Sequence, residues 1–395
     1  MASLAEALRR ALEALGDARG RVAAVGITGV AESGAPLDLH GAPLAPVIAW
    51  HDRRGEDVAQ RLSVELGPAL ATRIGQRLRY VSTVAKLGWL IDHGLTGVNR
   101  WLGVPELALR SLTGAEATEH SLAARSGCRD IGRDSWIDEV AEAAGFSSRV
   151  FPPVAVAGEV MGTVTAEASR SSGLPVGIPV TVAGHDHLVG MVGSGATTTD
   201  LANSVGTAET VVGRAAALPD VDAALSWGLA ITVFPGGEGW AVLGSAARSG
   251  IVLEDAAARL GRTLGELDAL AVGADLLDAP DIPDCLERRE PPPLPDGPPG
   301  AVWHTLLHHL ATRTAHAAVQ VVGVLGPRRR LIVFGGGGAS APWMQAKAEL
   351  ASLPVWRSTT RQAAARVAAL SAGTAVGWWS SPAAAPRPAL EPVDL

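Results

Sequence analysis

The chain has 395 residues, of which 47% are hydrophobic and 18% charged, as in a globular protein large enough for two domains. Its formal net charge of −7 argues against a general nucleic-acid-binding surface, and no apolar run reaches the length of a membrane span. Cys128 and Cys285 form neither a disulfide framework nor a zinc spacing, which favours a cytoplasmic protein.

The first predicted elements are a helix and a strand. Residues 3–16 combine a capping box at Ser3 and Glu6 with an apolar stripe and a glycine at the C-cap, which predicts a surface helix. The segment RVAAVGITGV predicts a short strand, and PLDLHGAPLAPVIAW predicts two extended pieces.

The middle of the chain alternates between helical and extended patterns. Residues 53–114 are predicted to be mostly helical, and a short helix is expected over 137–144. GEVMGTVTAEA predicts a strand followed by a helix, and GLPVGIPVTVAG predicts a turn followed by a strand. Strands and helices in alternation indicate an α/β protein.

The pattern restarts after Gly195, which marks the predicted boundary between two domains, 1–195 and 196–381. The proline-rich run REPPPLPDGPPG can be neither helix nor central strand. A long helix, the buried strand LIVF, a glycine loop and two helices flanking PVW should follow. The Ala/Pro-rich tail, residues 382–395, is expected to be frayed and disordered.

The stretch VTVAGHDHLVGMVGSG places three ionisable residues, His185, Asp186 and His187, at the end of an apolar strand. A buried carboxylate without a partner costs several kcal/mol. Asp186 is therefore expected either to cap a helix or to do chemistry.

Two glycine-rich turns could bind phosphate. In LIVFGGGGASAPWMQ, glycines let backbone N–H groups approach an anion or a purine, although a plain strand-to-helix turn is the alternative. The same loop matches a weak dinucleotide pattern, but no acidic residue ends the next strand and little chain remains for a nicotinamide-binding sheet. In NSVGTAE, Gly206 and Thr207 could hold a phosphate or simply form a hairpin turn.

A further polar cluster lies in AWHDRRG, where Trp50, Asp52 and Arg54 would suit a polyhydroxylated ligand or form an ordinary solvated strand end. Glu32 could point to the same side. A different cluster, His304, His308 and His309, lies on one predicted helix, and a surface face is favoured over a metal site there. No metal-binding residue is assigned.

Taken in order, these segments resemble the FGGY family of carbohydrate kinases. GITGV, LDLHGAPLAPVIAWHDRR, LRSLTGAEATEHSLAARSG and LPVGIPVTVAGHDH resemble the sugar-side motifs of that family. NSVGTAE resembles its phosphate motif, FGGGGASAPWMQ its adenosine motif and ARVAALSAGTAVG its last helix.

The resemblance implies an α/β fold of two actin-like ATPase, or ribonuclease H-like, domains with the active site in the cleft between them. Residues 1–195 would be the sugar-binding domain and residues 196–381 the nucleotide-binding domain. The implied activity is phosphorylation of a sugar, ketose or polyol hydroxyl with ATP and Mg²⁺. The expected partner is a small-molecule sugar or polyol, without nucleic acid or membrane.

The same resemblance assigns residues to roles. Asp186 would be the general base, and His187 would lie beside it in contact with the ligand. The other implied substrate contacts are Glu32, Trp50, Asp52 and Arg54. The implied ATP contacts are Gly206, Thr207, Gly250, Gly336, Gly337 and Ser340.

The sequence also departs from the family pattern. Family members open with strands and a D-x-G-T phosphate turn, whereas this sequence opens with a helix, so its first domain is expected to lack its first strands. Either the chain begins at an internal methionine, or it is a short binding or regulatory form that binds sugar or nucleotide without turnover. An exposed sheet edge could promote a homodimer. Smaller departures on the ATP side are LERREPP, Ala317-Ala318, Gln362 and Val367.

Overall fold

A computed structural model describes residues 2–278 and 293–394. The strands are β1 Val25–Gly29, β2 Gly34–Leu37, β3 Arg100–Gly103, β4 Thr118–Glu119, β5 Arg129–Asp130, β6 Ser135–Trp136, β7 Val154–Ala155, β8 Gly162–Thr163, β9 Pro179–His185, β10 Leu201–Val205, β11 Glu209–Ala215, β12 Ala230–Val233, β13 Trp240–Ala247, β14 Leu331–Phe334, β15 Val355–Ser358 and β16 Leu390–Pro392.

The α-helices are α1 Ala2–Ala14, α2 Glu56–Leu66, α3 Ala69–Ile74, α4 Thr83–Asp92, α5 Val104–Thr113, α6 His120–Ala124, α7 Asp138–Ala143, α8 Ala166–Ser172, α9 Asp186–Gly193, α10 Val221–Ser226, α11 Ser249–Leu260, α12 Leu264–Ala271, α13 Pro299–Leu325, α14 Ala341–Leu350 and α15 Ala363–Ala375. Short 3₁₀ helices cover Gly16–Arg21, Ser148–Val150, Pro235–Gly237, Gly336–Ala339 and Pro382–Ala384.

The first sheet has the order β1-β9-β8. β1 and β9 run parallel, with Gly29 opposite His185 at their carboxyl ends, and β8 pairs antiparallel with the other edge of β9. β9 is buried from its second residue onward, as is usual for a parallel strand covered on both faces. This sheet therefore brings the ends of β1 and β9 side by side.

The second sheet has seven strands in the order β12-β13-β11-β10-β14-β15-β16. β10 pairs antiparallel with β11, β11 with β13 and β13 with the edge strand β12, and β14 and β15 continue the sheet parallel to β10. The long helix α13 packs its apolar face on β11 and β13 and, with α14, forms the largest hydrophobic core. The carboxyl ends of β10, β14 and β15 consequently lie at one edge.

Helices α9 and α15 pack together between the two sheets. Leu188 and Met191 of α9 belong to a core with residues of the second sheet, whereas Val189 packs with Val367 and Ala368 of α15. α15 also lies against β1 and β9, although it comes from the end of the chain. The division at 195/196 remains a prediction, and the structure places α15 against the sheet of the other half.

Most predicted elements are confirmed, including the helical region, the strand into Asp186 and the long helix after the prolines. Of the two extended pieces predicted before residue 50, the first is β2, and the second forms only isolated bridges at Pro43 and Ile48. α1 begins at Ala2 and ends at Ala14, and Leu8 and Leu12 of its stripe pack against the core. Strand β3, which pairs antiparallel with β2, was not predicted within the helical region.

The expectation of a disordered tail is wrong for its end. β16 pairs antiparallel with β15, and Arg357 forms an ion pair with Glu391 across the two strands. The free edge of β15 offers unpaired backbone groups, and a short proline-containing strand can cover such an edge. Cys285, LERREPP and the first residues of the proline-rich run lie outside the described residues.

No helix among residues 2–278 and 293–394 combines the length and the apolar character needed to cross a bilayer.

The packing of α15 on β1 predicts a sensitive glycine. A Cβ on Gly26 would overlap the backbone carbonyl of Ala368, so Gly26→Ala must push α15 away from the sheet. We expect a loss of about 1–3 kcal/mol in the free energy of unfolding, measured by urea denaturation. The control Gly323→Ala lies in the last turn of α13 with no atom near the new methyl group, and should lose no stability and gain at most about 0.5–1 kcal/mol. Equal stability of the two variants would contradict this packing.

Candidate active site

A cavity of about 1140 Å³ lies where the carboxyl ends of the parallel strands of both sheets meet. Its lining includes Glu32 after β1, the end of β9 with the start of α9, and the turns that follow β10, β14 and β15. Ligands of α/β proteins bind at the carboxyl ends of parallel strands. The cavity is therefore the candidate active site.

Asp186 stands at the junction of β9 and α9. Gly184 has φ 116°, and the backbone N–H of His185 donates to Ser121 Oγ at 2.9 Å, so the strand end is held in place. Asp186 is the first residue of α9 and accepts the backbone N–H of His187 at 2.7 Å. The helix has no side-chain N-cap bond. The arrangement favours chemistry over capping, and Asp186 lines the cavity.

The two histidines set the charge around Asp186. Burial by itself raises the pKa of Asp186, but the neighbouring His187 and His185 outweigh it and hold that pKa below its usual value. Burial lowers the pKa of His185 to about 4, against the opposing effect of Asp186. His187 Nδ1 lies 2.9 Å from Ser204 Oγ on β10, which fixes the ring. Near neutral pH, Asp186 is thus an ionised carboxylate beside a neutral His185.

Glu32 and Trp50 line the cavity next to this triplet. Glu32 has φ 58° and forms an ion pair with Arg125 at 2.7 Å. Lys86 is buried, and its Nζ donates to the carbonyls of Glu32 at 2.8 Å, Trp50 at 3.3 Å and Val81 at 2.6 Å. Burial lowers the pKa of Lys86 to about 8. One lysine thereby positions both predicted sugar contacts.

Asp52 and Arg54 are not brought to the cavity. They pair with each other, Arg54 Nη2 lying 2.7 Å from Asp52 Oδ2, and this bidentate contact lowers the pKa of Asp52. Arg54 also stacks over the ring of Trp89. Their placement matches the alternative of a solvated strand end with an ion pair, and neither is among the residues that line the cavity.

Gly206 and Thr207 form the turn between β10 and β11 and line the cavity. Gly250 packs behind that turn, where a Cβ would lie 2.5 Å from the carbonyl oxygen of Gly206. Gly250 therefore lets the turn approach α11 and does not face a ligand directly. Gly250 supports this turn and is not among the residues that line the cavity.

A buried ion pair lies directly after this turn. Glu209 pairs with Lys347, and both side chains are fully buried. Glu209 also accepts from Thr314 Oγ1 at 2.6 Å and from Ser249 Oγ at 2.5 Å. Breaking a buried pair of this kind is strongly destabilising, so the network ties the turn to α11, α13 and α14.

In the glycine loop after β14, one glycine lines the cavity and another is required for packing. Gly335 has φ 100°, and Gly336 lines the cavity with no atom within 4 Å of a built Cβ. A Cβ on Gly337 would instead overlap Val205 and Trp343, so Gly337 serves packing. Ser340 is the N-cap of α14 and accepts the N–H of Trp343 at 3.4 Å. Only Gly336 of these three predicted contacts is among the lining residues.

Glu119 joins the two halves of the molecule and was not singled out from the sequence. It is fully buried, and its Oε1 accepts the N–H of Gly236 at 2.7 Å from the loop between β12 and β13. Its Oε2 accepts from the N–H and hydroxyl of Ser121, whose hydroxyl in turn accepts the N–H of His185. Burial raises the pKa of Glu119 to about 7. The missed signal was a carboxylate and a serine two residues apart in TEHS.

The cavity fits a nucleotide. A Cβ on Gly336 would meet no atom within 4 Å, and one on Gly206 would meet only the carbonyl oxygen of Ala208, at 3.9 Å. Both glycines line the cavity, and glycine turns of this kind can bind phosphate through backbone N–H groups. Among the described acidic residues that line the cavity, Glu32 pairs with Arg125 and Glu391 with Arg357. Asp186 is the one there without an arginine partner, and is the available carboxylate for a cation.

The other candidate sites gain no support. His304 Nδ1 lies 2.6 Å from the carbonyl oxygen of Ala274, and His304, His308 and His309 are not among the metal-ligand groups found in the described parts of the chain. The glycine loop after β14 leads into a 3₁₀ turn, with β15 as the one further parallel strand of this sheet. That arrangement does not build a nicotinamide-binding fold.

Solved structures of sugar kinases share this fold. The xylulose kinase from Rhodospirillum rubrum superposes with a TM-score of 0.78 at 24% identity, covering 98% of this chain and 82% of that one. The Plasmodium falciparum glycerol kinase with ADP gives 0.79 at 17% identity, covering 97% and 81%. At these identities the likeness shows the fold, which is the two-domain actin-like ATPase fold expected from the sequence.

Sequence comparison adds the family. Residues 1–193 match the N-terminal domain of the FGGY family of carbohydrate kinases. The L-fuculokinase of Salmonella typhi is 32% identical over 197 residues, or 49% of this chain and 42% of the relative, so the chain spans less than half of that relative. A glycerol kinase of Bordetella parapertussis is 27% identical over 95% of this chain and 79% of the relative. Residues 1–193 therefore carry the FGGY N-terminal domain, as the motifs of that part of the sequence predicted.

The burial of Glu119 predicts a pH-dependent stability. The pKa of Glu119 is about 7 in the folded chain against 4.5 ordinarily, so the folded state binds more protons than the unfolded state between these values. The Glu119 contribution to the free energy of unfolding therefore falls as pH rises through that window. In Glu119→Gln the side chain does not titrate, and urea unfolding across the same pH range should lose this part of the slope.

The exposed Glu142→Gln is the matched control and should keep the wild-type slope. The slope of stability against pH is the readout, because glutamine has a single acceptor oxygen and loses the hydrogen bonds of either Ser121 or Gly236 whatever the pH. Parallel stability curves for wild type and Glu119→Gln would contradict the assignment.

Proposed function

We propose that this chain is an ATP-dependent carbohydrate kinase that transfers the γ-phosphoryl group of ATP to a hydroxyl of a sugar, ketose or polyol. The observation that carries the proposal is the placement of Asp186 in one cavity with the Gly206–Thr207 turn and the glycine loop after β14. A base and two phosphate-binding turns in one cleft are the parts that phosphoryl transfer to an alcohol requires.

In this proposal Asp186 accepts the proton of the attacking hydroxyl. The loose transition state makes the hydroxyl acidic late, so an ionised carboxylate of low pKa suffices. Glu32 and Trp50 orient the sugar, and Lys86 and Arg125 hold them in place. His187, fixed by Ser204, contacts the ligand beside the base.

The nucleotide side is proposed in the same way. Backbone N–H groups of Gly206 and Thr207 bind the γ-phosphate, and the open face of Gly336 admits the nucleotide. Mg²⁺ neutralises phosphate charge when it is bound, and Asp186 is the carboxylate placed to reach it. ATP as the phosphoryl donor is supported by the similar glycerol kinase structure that contains ADP. The similarity to a fuculokinase, a xylulose kinase and a glycerol kinase supports a sugar or polyol acceptor.

We also propose that the protein acts in the cytoplasm, where ATP and sugar substrates are available. Cys128 is a free, buried cysteine, which suits a reducing compartment. A homodimer remains a prediction that sedimentation of the purified chain would decide.

The proposal is tested by ATP consumption with Mg²⁺ against a panel of pentoses, ketoses and polyols. Wild type should turn over one member of the panel, and Asp186→Asn should lower kcat by about 10²–10⁴-fold, since that is the usual contribution of a general base. Sugar binding to Asp186→Asn, measured by calorimetry, should remain.

Asp255→Asn, on the surface of α11 in an ion pair with Arg259, is the control and should turn over like wild type. Normal kcat in Asp186→Asn would refute the role of the base. Saturable sugar binding without turnover by wild type would replace the proposal with a non-catalytic binding or regulatory protein on the same fold.

A further inference from the structure

The triplet at the cleft carries a donor set that phosphoryl transfer does not need. His185, Asp186 and His187 each offer one ligand atom, and these three atoms lie within 4.8 Å of one another. His185 Nε2 lies 3.4 Å from Asp186 Oδ1. Two ligands of a tetrahedral zinc at about 2.0–2.1 Å are themselves about 3.3 Å apart, so this pair already has the spacing of two metal ligands.

His187 has the setting of a metal-ligating histidine. One of its ring nitrogens, Nδ1, lies 2.9 Å from Ser204 Oγ, which leaves Nε2 for another partner. Histidine ligands usually make such a hydrogen bond through the nitrogen that does not bind the metal, because that bond fixes the tautomer and the ring.

His185 is held in place beside Asp186. Its ring is buried, and Nε2 is the ring nitrogen that faces Asp186. The backbone of His185 cannot shift freely because Ser121 holds its N–H. All three residues line the cavity, so a ligand can reach them.

We propose that His185, Asp186 and His187 bind a divalent transition-metal cation such as Zn²⁺ or Co²⁺ in the cleft. Two imidazoles and one carboxylate favour such borderline cations, whereas Mg²⁺ prefers oxygen ligands alone. The cation binds with the three protein ligands and leaves its remaining positions open to the cavity. Since it occupies Asp186, it also competes with the use of that carboxylate as a base.

The test is a titration of the full chain with Co²⁺, followed by the visible absorption of the bound ion, without nucleotide or sugar. Wild type should bind one equivalent, Zn²⁺ should displace it, and an excess of Mg²⁺ should not. His187→Gln and His185→Asn should each weaken binding at least about tenfold through loss of a ligand. Because no turnover is measured, the outcome is independent of the proposed kinase activity.

The control His308→Gln removes an imidazole from the histidine cluster of α13 and should bind Co²⁺ like wild type. Ser204→Ala leaves all three ligands in place and should weaken binding by about 10- to 100-fold, as loss of an orienting partner does. This variant keeps the proposal testable if either histidine variant fails to fold, which thermal unfolding reveals.

Three results would overturn the proposal. They are the absence of saturable Co²⁺ binding to wild type, unchanged binding in folded His187→Gln and His185→Asn, and loss of binding in His308→Gln, which would place the ion on α13. Displacement of Co²⁺ by Mg²⁺ at comparable concentration would also overturn it, since it would show an all-oxygen site.

Discussion

The geometry of the cleft depends on one buried carboxylate. Glu119 holds the backbone N–H of Gly236 in the loop between β12 and β13, and through Ser121 it holds the backbone N–H of His185 next to Asp186. A buried carboxyl group is costly unless it is hydrogen-bonded, and here both oxygens are engaged. The same side chain therefore stabilises the contact between the two halves of the molecule and the strand end that carries the proposed base. A change at Glu119 would reach the site without any contact with a ligand.

In the rest of the cleft, buried charged side chains hold backbone segments in place and take no part in the proposed reaction. Lys86 donates hydrogen bonds to three backbone carbonyls, including those of Glu32 and Trp50, which line the cavity. The buried ion pair of Glu209 and Lys347 holds the turn between β10 and β11 in place. Such groups fix backbone geometry because each would be left unpaired by a small displacement, and that penalty is large in a low-dielectric interior. Preorganised turns of this kind are what electrostatic catalysis of phosphoryl transfer requires.

Asp186 could act either as a base or as a ligand of a cation. As an ionised carboxylate it suits proton abstraction, and as one of three neighbouring donors with His185 and His187 it suits a cation. The two uses compete for the same oxygen atoms. A cleft that carries both is open to control by the metal content of its surroundings, because a bound transition metal removes the base without changing the fold.

The sequence by itself determined the alternation of strands and helices, the glycine turns after strands, the FGGY N-terminal domain, and the position of Asp186 at a strand end, since these are properties of local pattern and motif order. Tertiary structure alone decided that Asp52 and Arg54 pair with each other, that Gly250 and Gly337 serve packing, and that Leu390–Pro392 join a sheet edge. It also decided the tasks of Lys86 and Glu119, whose partners include groups up to 117 residues away in sequence. Periodicity reports which face of an element is apolar, but a contact between distant segments depends on how those elements pack together.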